Sequence, residues 1–497
     1  PSNAFNIGFN NPTSNYASEF LFWGLQLEQS SAATNYIPST DTFNSRQGNA
    51  TYVDSNGLIK TSWRNLLNRT GMVHGWTLQN TGRNGNTGEF SPFGTTEGVI
   101  RLSAVNAGDN LLYKPVTGNG TLSIYAKAEQ GYTHLSLISQ SATLVDNSAV
   151  NFDIVNGTIT DLPSNDPRNA TGEIIDVGNG WYRCIVRMTS NQTSGFFVIN
   201  PHDGSDTTMH NLGRFTNNST SNTSILLYGP KFTDSKTEAG EFYFDDTNTA
   251  TAPPRYSHDP ETLVPTGLYL EPASTNYWSH SNFNTYNSGQ TEPYTHAANA
   301  SYLNLGSSTY LYNMTITPNA TTAPDGTQTA ALFVPRSDLG TNKQYWVQMQ
   351  HLHLNTGTFS CFVKYNGWRY LSVRNGHNGN STCLFDLLNG TFVGVHSSTI
   401  VSDYKIVAYP NGWYRLSSTI TTASNGWSSL IFFENANITN NTVPSHSSVP
   451  DGVSGVYIWG VQRETSLYPT SVIINNQTTG VTRAADTYTS TATTVFD

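Results

Sequence analysis

The stretch NFDIVNGTITD, Asn151 to Asp161, has a near twin in LFDLLNGTFVG, Leu384 to Gly394. Each joins an apolar run to a β-branched run through Asn-Gly, a strong short-range signal for a β-hairpin. Working outward, the neighbouring motifs recur in the same order. GTLSIYAKA (Gly120 to Ala128) answers GTFSCFVKY (Gly357 to Tyr365), and VGNGWYRCIVRM (Val177 to Met188) answers YPNGWYRLSSTI (Tyr409 to Ile420). SPFGTTEGVIRL matches APDGTQTAALFV, GLIKTSWRNLLNRT lines up with GLYLEPASTNYWSHS, and SILLYGPKF with VYIWGVQRE. Several motifs repeating in one order imply two homologous modules.

Each module reads as many short strands, with turn signals every 8–15 residues or so and no amphipathic helix. Stretches such as LSIYAKA and YRCIVRM alternate between an apolar and a mixed face. Two sheets burying such faces against each other give an all-β fold of tandem β-sandwich modules of the jelly-roll, concanavalin-like kind. The expected organisation is 1–49, the C-terminal strands of a preceding module plus a linker; 50–255, a complete module; and 256–497, its homologue with a C-terminal extension. EFLFWGLQLE (Glu19 to Glu28) carries the first assignment, since it matches the module ending VYIWGVQRE. The alternative is that these strands complete another module or a neighbouring subunit. PPRYSHDPETLVPTG and YIPSTDTFNSRQGN, rich in Pro, Thr and Asn, read as linkers.

Only 12% of the 497 residues are charged and the formal net charge is -10. Scattered cations on an acidic chain argue against nucleic acid as a partner. No apolar run approaches the roughly 20 residues of a membrane-spanning helix. Cys184, Cys361 and Cys383 read as small buried residues, although Cys361 and Cys383 share a module and could pair.

The motif set of the last module resembles a module of tailed-bacteriophage virion proteins, particularly marine ones. It runs from HDPETLVPTGLYLEPASTN through APDGTQTA, FSCFVKYNGWRYLSVR, FDLLNGT, NGWYRL and VYIWGVQRE to TRAADT. The preceding module departs from it where PASTN becomes TSWRN and WGVQRE becomes YGPKFT. The resemblance implies lectin-like modules in a tail fibre, head fibre or related appendage at the virion surface. It also implies a homo-oligomer, often trimeric, with other virion proteins and host-surface glycans as partners. It supplies no catalytic residues and no cofactor. The rival expectations are a purely structural capsid decoration or fibre shaft, a polysaccharide depolymerase, and a secreted cellular adhesin.

No nucleophile elbow, P-loop or zinc-protease motif is present, and the chain reads as a non-enzyme. Asp203 and Asp206 in PHDGSD, and Asp245 and Asp246 in FYFDD, are acidic candidates for a glycosidase pair or, for DGSD, a Ca²⁺ loop. Turn formation is the plainer reading. The repeated Trp181-Tyr182-Arg183 and Trp413-Tyr414-Arg415 suit sugar stacking, yet repetition inside a strand favours a place in the frame. His351 and His353 share one strand face and could bind metal, but a solvated face is the plainer reading. The better carbohydrate-binding candidates are Trp368, Arg369, Tyr370 and His377 in YNGWRYLSVRNGHNGN, where aromatics and Arg meet a Gly- and Asn-rich loop.

Overall fold

The computed structural model describes residues 42–489 except 44–45, 47, 68–71, 73–74, 86, 119, 142–147, 162–169, 189–194, 207–213, 217–222, 243–251, 284–293, 296–308, 350–355, 376–381, 397–400, 422–427, 439–443 and 478. EFLFWGLQLE, Asp245, Asp246, His351, His353 and His377 lie outside the described residues. The chain divides into two compact units, Pro1–Asn44 with Tyr488–Asp497, and Ser45–Thr487. In the first, the described part is the antiparallel pairing of Thr42–Phe43 with Tyr488–Thr489. The second, larger unit holds both sandwiches.

The earlier sandwich is built from β1 (Thr77–Gln79), β2 (Thr81–Asn84), β3 (Ile100–Ala104), β4 (Leu111–Val116), β5 (Thr121–Gln130), β6 (His134–Ser141), β7 (Ser148–Asp153), β8 (Thr158–Asp161), β9 (Thr171–Gly178), β10 (Trp181–Arg187), β11 (Gly195–His202) and β12 (Ser224–Thr233). One sheet runs β8-β7-β6-β11-β4-β1 and the other β9-β10-β5-β12-β3-β2, all antiparallel. The later sandwich has β13 (Thr309–Tyr312), β14 (Met314–Thr321), β15 (Ala330–Pro335), β16 (Trp346–Met349), β17 (Gly357–Asn366), β18 (Tyr370–Asn375), β19 (Thr382–Asp386), β20 (Thr391–His396), β21 (Val401–Tyr409), β22 (Trp413–Ile420), β23 (Ser428–Phe433) and β24 (Gly455–Glu464). Its sheets run β20-β19-β18-β23-β16-β13 and β21-β22-β17-β24-β15-β14, with Tyr294–Thr295 added beyond β14. The two orders are identical strand for strand. The sequence repeat is thus a repeat of topology, and the all-β tandem-sandwich expectation holds.

Alternation builds each core. In β5 the inward Leu122, Ile124 and Ala126 join Leu135 and Leu137 of β6, while Tyr125 points to the outer face. The three cysteines are buried and unpaired, with Cys361 on β17 and Cys383 on β19 in opposite sheets. The twin hairpins turn through four residues, because Asp153 and Asp386 each accept the two backbone N–H groups that come next in the turn. Only the glycine is left-handed: Gly157 has φ 69° and Gly390 φ 65°. A Cβ at either would also lie within 2.7 Å of the Tyr182 or Tyr414 ring, so both positions demand glycine.

The segment Pro253 to Gly267, which composition marks as a linker, is packed structure instead, while most of the other, Tyr36 to Asn49, lies outside the described residues. Ala50–Val53 pairs with Ile59–Ser62, and Tyr256–His258 with Pro265–Leu268, so a small hairpin precedes each sandwich. Asn65 and Asn276 then anchor the start of each sandwich in the same way. Asn65 donates to Pro230 O and accepts from the Leu67 and Phe232 amides; Asn276 donates to Val461 O and accepts from those of Trp278 and Arg463.

Between these hairpins lies a buried ionic cluster. Asp486 bridges Arg46, at 2.7 Å, and Arg255. Glu271 lies 2.9 Å from Arg255 and 3.5 Å from Arg483. Burial works against the charge on Asp486 and Glu271, but the arginines hold both carboxyls below their usual range. Asp486→Ala, leaving two buried guanidinium groups without that partner, is expected to cost about 3–5 kcal/mol. Urea unfolding of the full chain measures it; a loss below about 1 kcal/mol would show the cluster to be dispensable.

Candidate functional site

The NGWYR motif belongs to the frame in both sandwiches. Trp181 and Trp413 are buried, and their indole N–H groups donate to Phe90 O at 3.1 Å and Thr322 O at 3.2 Å. Arg183 and Arg415 reach past the last strand to donate to Gly240 O and Thr470 O, each at 2.6 Å. Their guanidinium groups lie over the Tyr125 and Phe362 rings. These side chains pin the segment leaving the sandwich and are not free to stack a ligand.

The candidates near Trp368 fall at the rim of the β20-to-β13 sheet, where β17 turns into β18. Trp368 is half-buried, stacked on His446 at 5.4 Å and edge-on to Phe432. Arg369 is exposed and forms a two-pronged pair with Asp386, at 3.0 and 2.8 Å, with Tyr370 beside its guanidinium at 5.0 Å. That hydrogen bonding holds the Asp386 carboxyl below its usual range. Trp368 is therefore a packing residue of the rim, while Arg369 and Tyr370 form its outward part.

The equivalent rim of the earlier sandwich holds a site of which the sequence motifs single out only one edge, PHDGSD with Asp206. His134 faces Asp153 and His202 across the ladder, as Tyr370 faces Asp386 and Phe433. Asn151 occupies the register position of Leu384, opposite a serine in each case. His134, Asn151, Thr160, His202, Gly204, Asp206 and Phe215 line a recess of about 410 Å³. In the later sandwich the corresponding face is apolar, with Tyr370, Leu384, Val393 and Phe433 in one cluster.

Hydrogen bonds fix the protons in this recess. The Gly204 amide donates to His202 Nδ1, so Nε2 carries the hydrogen and donates to Asn151 Oδ1 at 2.9 Å. Asn151 Oδ1 also accepts from Ser136, and its amide donates to Thr160 Oγ1. Thr133 gives its hydroxyl hydrogen to Asp203 O, so His134 Nδ1–H is the donor to Thr133 Oγ1 at 2.8 Å. His202 is stacked on Phe215 at 4.4 Å and lies 5.1 Å from the His134 ring. Burial, and next the neighbouring His134, lower the His202 pKa to about 3. The His134 pKa is also lowered by burial, with Asp153 and Asp203 pulling the other way.

Asp203 accepts from Ser205 N and Oγ, and Asp206 from Thr216 N and Oγ1. Both carboxylates thus serve turns, although Asp206 also edges the recess. Among the described residues no three His, Cys, Asp or Glu side chains converge as a metal site. The two histidines lie far apart in sequence, and only strand register brings them together. The available signal is their alternation, which sets His134 and His202 on the outer face of adjacent strands.

No family model matches the chain, and no curated protein matches it. Among solved structures, it is similar to the M60 catalytic domain with the CBM51-1 and CBM51-2 domains of ZmpB from Clostridium perfringens, at 10% identity. The match covers 86% of this chain but 43% of that one, with a TM-score of 0.16. A likeness so slight bears on neither activity nor ligand.

Since His202 is neutral in the fold and titrates near 6.5 when unfolded, its stabilising contribution is present above about pH 6.5 and falls away toward pH 3. His202→Gln removes this linkage. Thermal unfolding between about pH 7 and 5, above the range where most carboxylates titrate, is expected to show a smaller loss of Tm in the variant than in the parent. Equal slopes would mean that the ring is protonated in the folded state.

Proposed function

We propose that the chain is part of a tailed-phage virion appendage whose sandwich rims contact host-surface carbohydrate. The observation that carries this reading is the contrast between the two copies. Turn, tryptophan, arginine and asparagine anchors are the same in both sandwiches, whereas the rim changes from a polar recess to an apolar, Arg-edged face. A frame held constant while one surface varies suits recognition, in which loops and rims carry the contacts and the scaffold positions them. The sequence resemblance to phage appendage modules supports the location at the virion surface.

The recess suits a neutral, hydroxyl-rich sugar. It offers hydroxyl, amide and imidazole groups beside one carboxylate edge, and His202 supplies no positive charge at neutral pH. Among the described residues that line the recess, an acidic sugar would meet the Asp206 carboxylate with no cation to offset it, apart from a protonated His134. Each contact would be weak and wet, gaining from repetition across an oligomer.

A glycan array read with the fluorescent, oligomeric protein tests this. Neutral glycans are expected to give the signals, and Asn151→Leu with His202→Phe, which install the later sandwich's residues, are expected to reduce them at least about tenfold. A folded parent protein with no signal on the array would overturn the reading. Signals unchanged in the double variant would move the contact to the Arg369–Tyr370 rim.

A further inference from the structure

We propose that the hairpin Tyr256–Leu268 docks a second copy of this chain, its tip packing on the Phe90–Phe93 end of that copy's earlier sandwich. The proposal does not depend on the carbohydrate reading. It rests on an interface that the chain already makes once within itself.

The preceding hairpin, Ala50–Ser62, packs on the end of the later sandwich. The Ile59 amide donates to Pro324 O at 3.0 Å, and the Ile59 side chain is buried in a cluster with Phe362, Trp413 and Trp459. The approach is close: a Cβ on Gly57 would collide with the Pro410 ring.

Each half of this interface has a counterpart elsewhere in the chain, and both counterparts leave apolar side chains exposed, although Ser257 and His258 of the second hairpin also bond Val53 of the first. The end of the earlier sandwich has the same turn, since Ser91 N–Thr95 O and Gly94 N–Ser91 O repeat Ala323 N–Thr327 O and Gly326 N–Ala323 O. Beneath it lies the equivalent aromatic cluster of Tyr125, Trp181 and Tyr228. Among the described residues no hairpin covers this cluster. Phe93 stacks over Phe242 instead and is still 55% exposed, with Phe90 65% exposed beside it. The counterpart hairpin exposes Tyr256 (61%), Leu263 (41%) and Val264 (44%).

The tip of that hairpin is rigid. Asp259 Oδ1 accepts from Glu261 N and from Thr262 N and Oγ1, while backbone bonds join Leu263 N to Asp259 O and Asp259 N to Val264 O. These bonds hold Leu263 at φ 61°, a conformation bulky side chains seldom adopt. A strained loop fixed so as to present two apolar side chains to water has its ordering cost met before any partner arrives. Within one chain the hairpin of one module covers the sandwich of the next. The same step taken between copies would join the later module of one to the earlier module of another. Such a contact is heterologous, so it runs head to tail, into a ring where the rotation between copies closes and into a filament where it does not.

Sedimentation velocity over a concentration series tests the proposal with the full 497-residue chain. The parent is expected to grow in mass with concentration beyond a dimer. Val264→Asp and Phe90→Asp are each expected to stay monomeric. Mixed together they should form a complex that stops at two chains, because one supplies an intact tip and the other an intact acceptor. A parent that stays monomeric at every concentration would overturn the proposal, as would a mixture that stays monomeric. Should either variant lose its thermal unfolding transition, Tyr256→Asp and Phe93→Ser form a second pair with the same expected outcomes.

Discussion

Asp486, held between Arg46 and Arg255, is the contact on which the arrangement of the larger unit depends. Its partners lie 440 and 231 residues away in sequence, so one carboxylate ties the start, middle and end of that unit together. Removing ions from water costs several kcal/mol each, and attraction offsets this only when the geometry is good and the remaining polar atoms are satisfied. Here the surroundings go far toward that condition, leaving Arg255 Nε and Arg483 Nε without a hydrogen-bond partner. Arg46 also donates to Gly48 O and Ser62 O, Arg255 to Thr51 O, and Glu271 accepts from the amide and hydroxyl of Ser471. These charges are satisfied only with both hairpins seated. In a chain with 12% charged residues, burying five of them in one place selects an arrangement more than it adds stability.

The frame and the rims obey different rules. The anchors of the frame end on backbone: tryptophan N–H on a carbonyl, arginine on a carbonyl, asparagine on a carbonyl and two amides. Backbone partners survive changes of neighbouring side chains, so the fold can be copied while residues around each anchor diverge. The rim has the opposite character. Asn151 and Leu384 share a register position, as do His134 and Tyr370, and here every property depends on the side chain itself. Divergence between the copies therefore gathers where it disturbs the fold least.

Much of this is legible in sequence, for reasons particular residues make plain. Repeated motifs reveal the modules because identical anchors need identical residues: Asn-Gly where a tyrosine ring crowds the turn, Trp-Tyr-Arg where an indole and a guanidinium reach fixed carbonyls. The hairpin Tyr256–Leu268 looks like a linker in sequence because Pro, Thr and Asn mark turns equally well in loops and in short paired strands. What fixes that hairpin is Arg255, whose partners at Glu271 and Asp486 no local pattern reveals. Beyond the PHDGSD turn, the rim of the earlier sandwich escapes notice for a similar reason. His134 and His202 meet only through the pairing of β6 with β11, and a motif along one strand cannot disclose a pair made by two. Trp368 suits a binding residue on composition alone, but its stacking on His446 turns it toward the protein.

The two modules differ at their surfaces, although they share one frame. The earlier sandwich keeps polar groups at its rim and holds His202 neutral, which suits reversible contact with hydroxyl groups. Its end carries Phe90 and Phe93 in water, while the later module presents a stiff apolar tip. Hydrogen-bonded sugar contacts are individually weak, because each exchanges one set of hydrogen bonds with water for another of similar worth. The proposed apolar contact between copies would involve no such exchange and would place successive polar rims at a fixed spacing. Weak recognition would then become effective through repetition, since a second rim held near its ligand binds at the effective concentration that the spacing sets. A duplicated sandwich allows both roles in one chain, because each copy is free to change a different surface without disturbing the anchors beneath it.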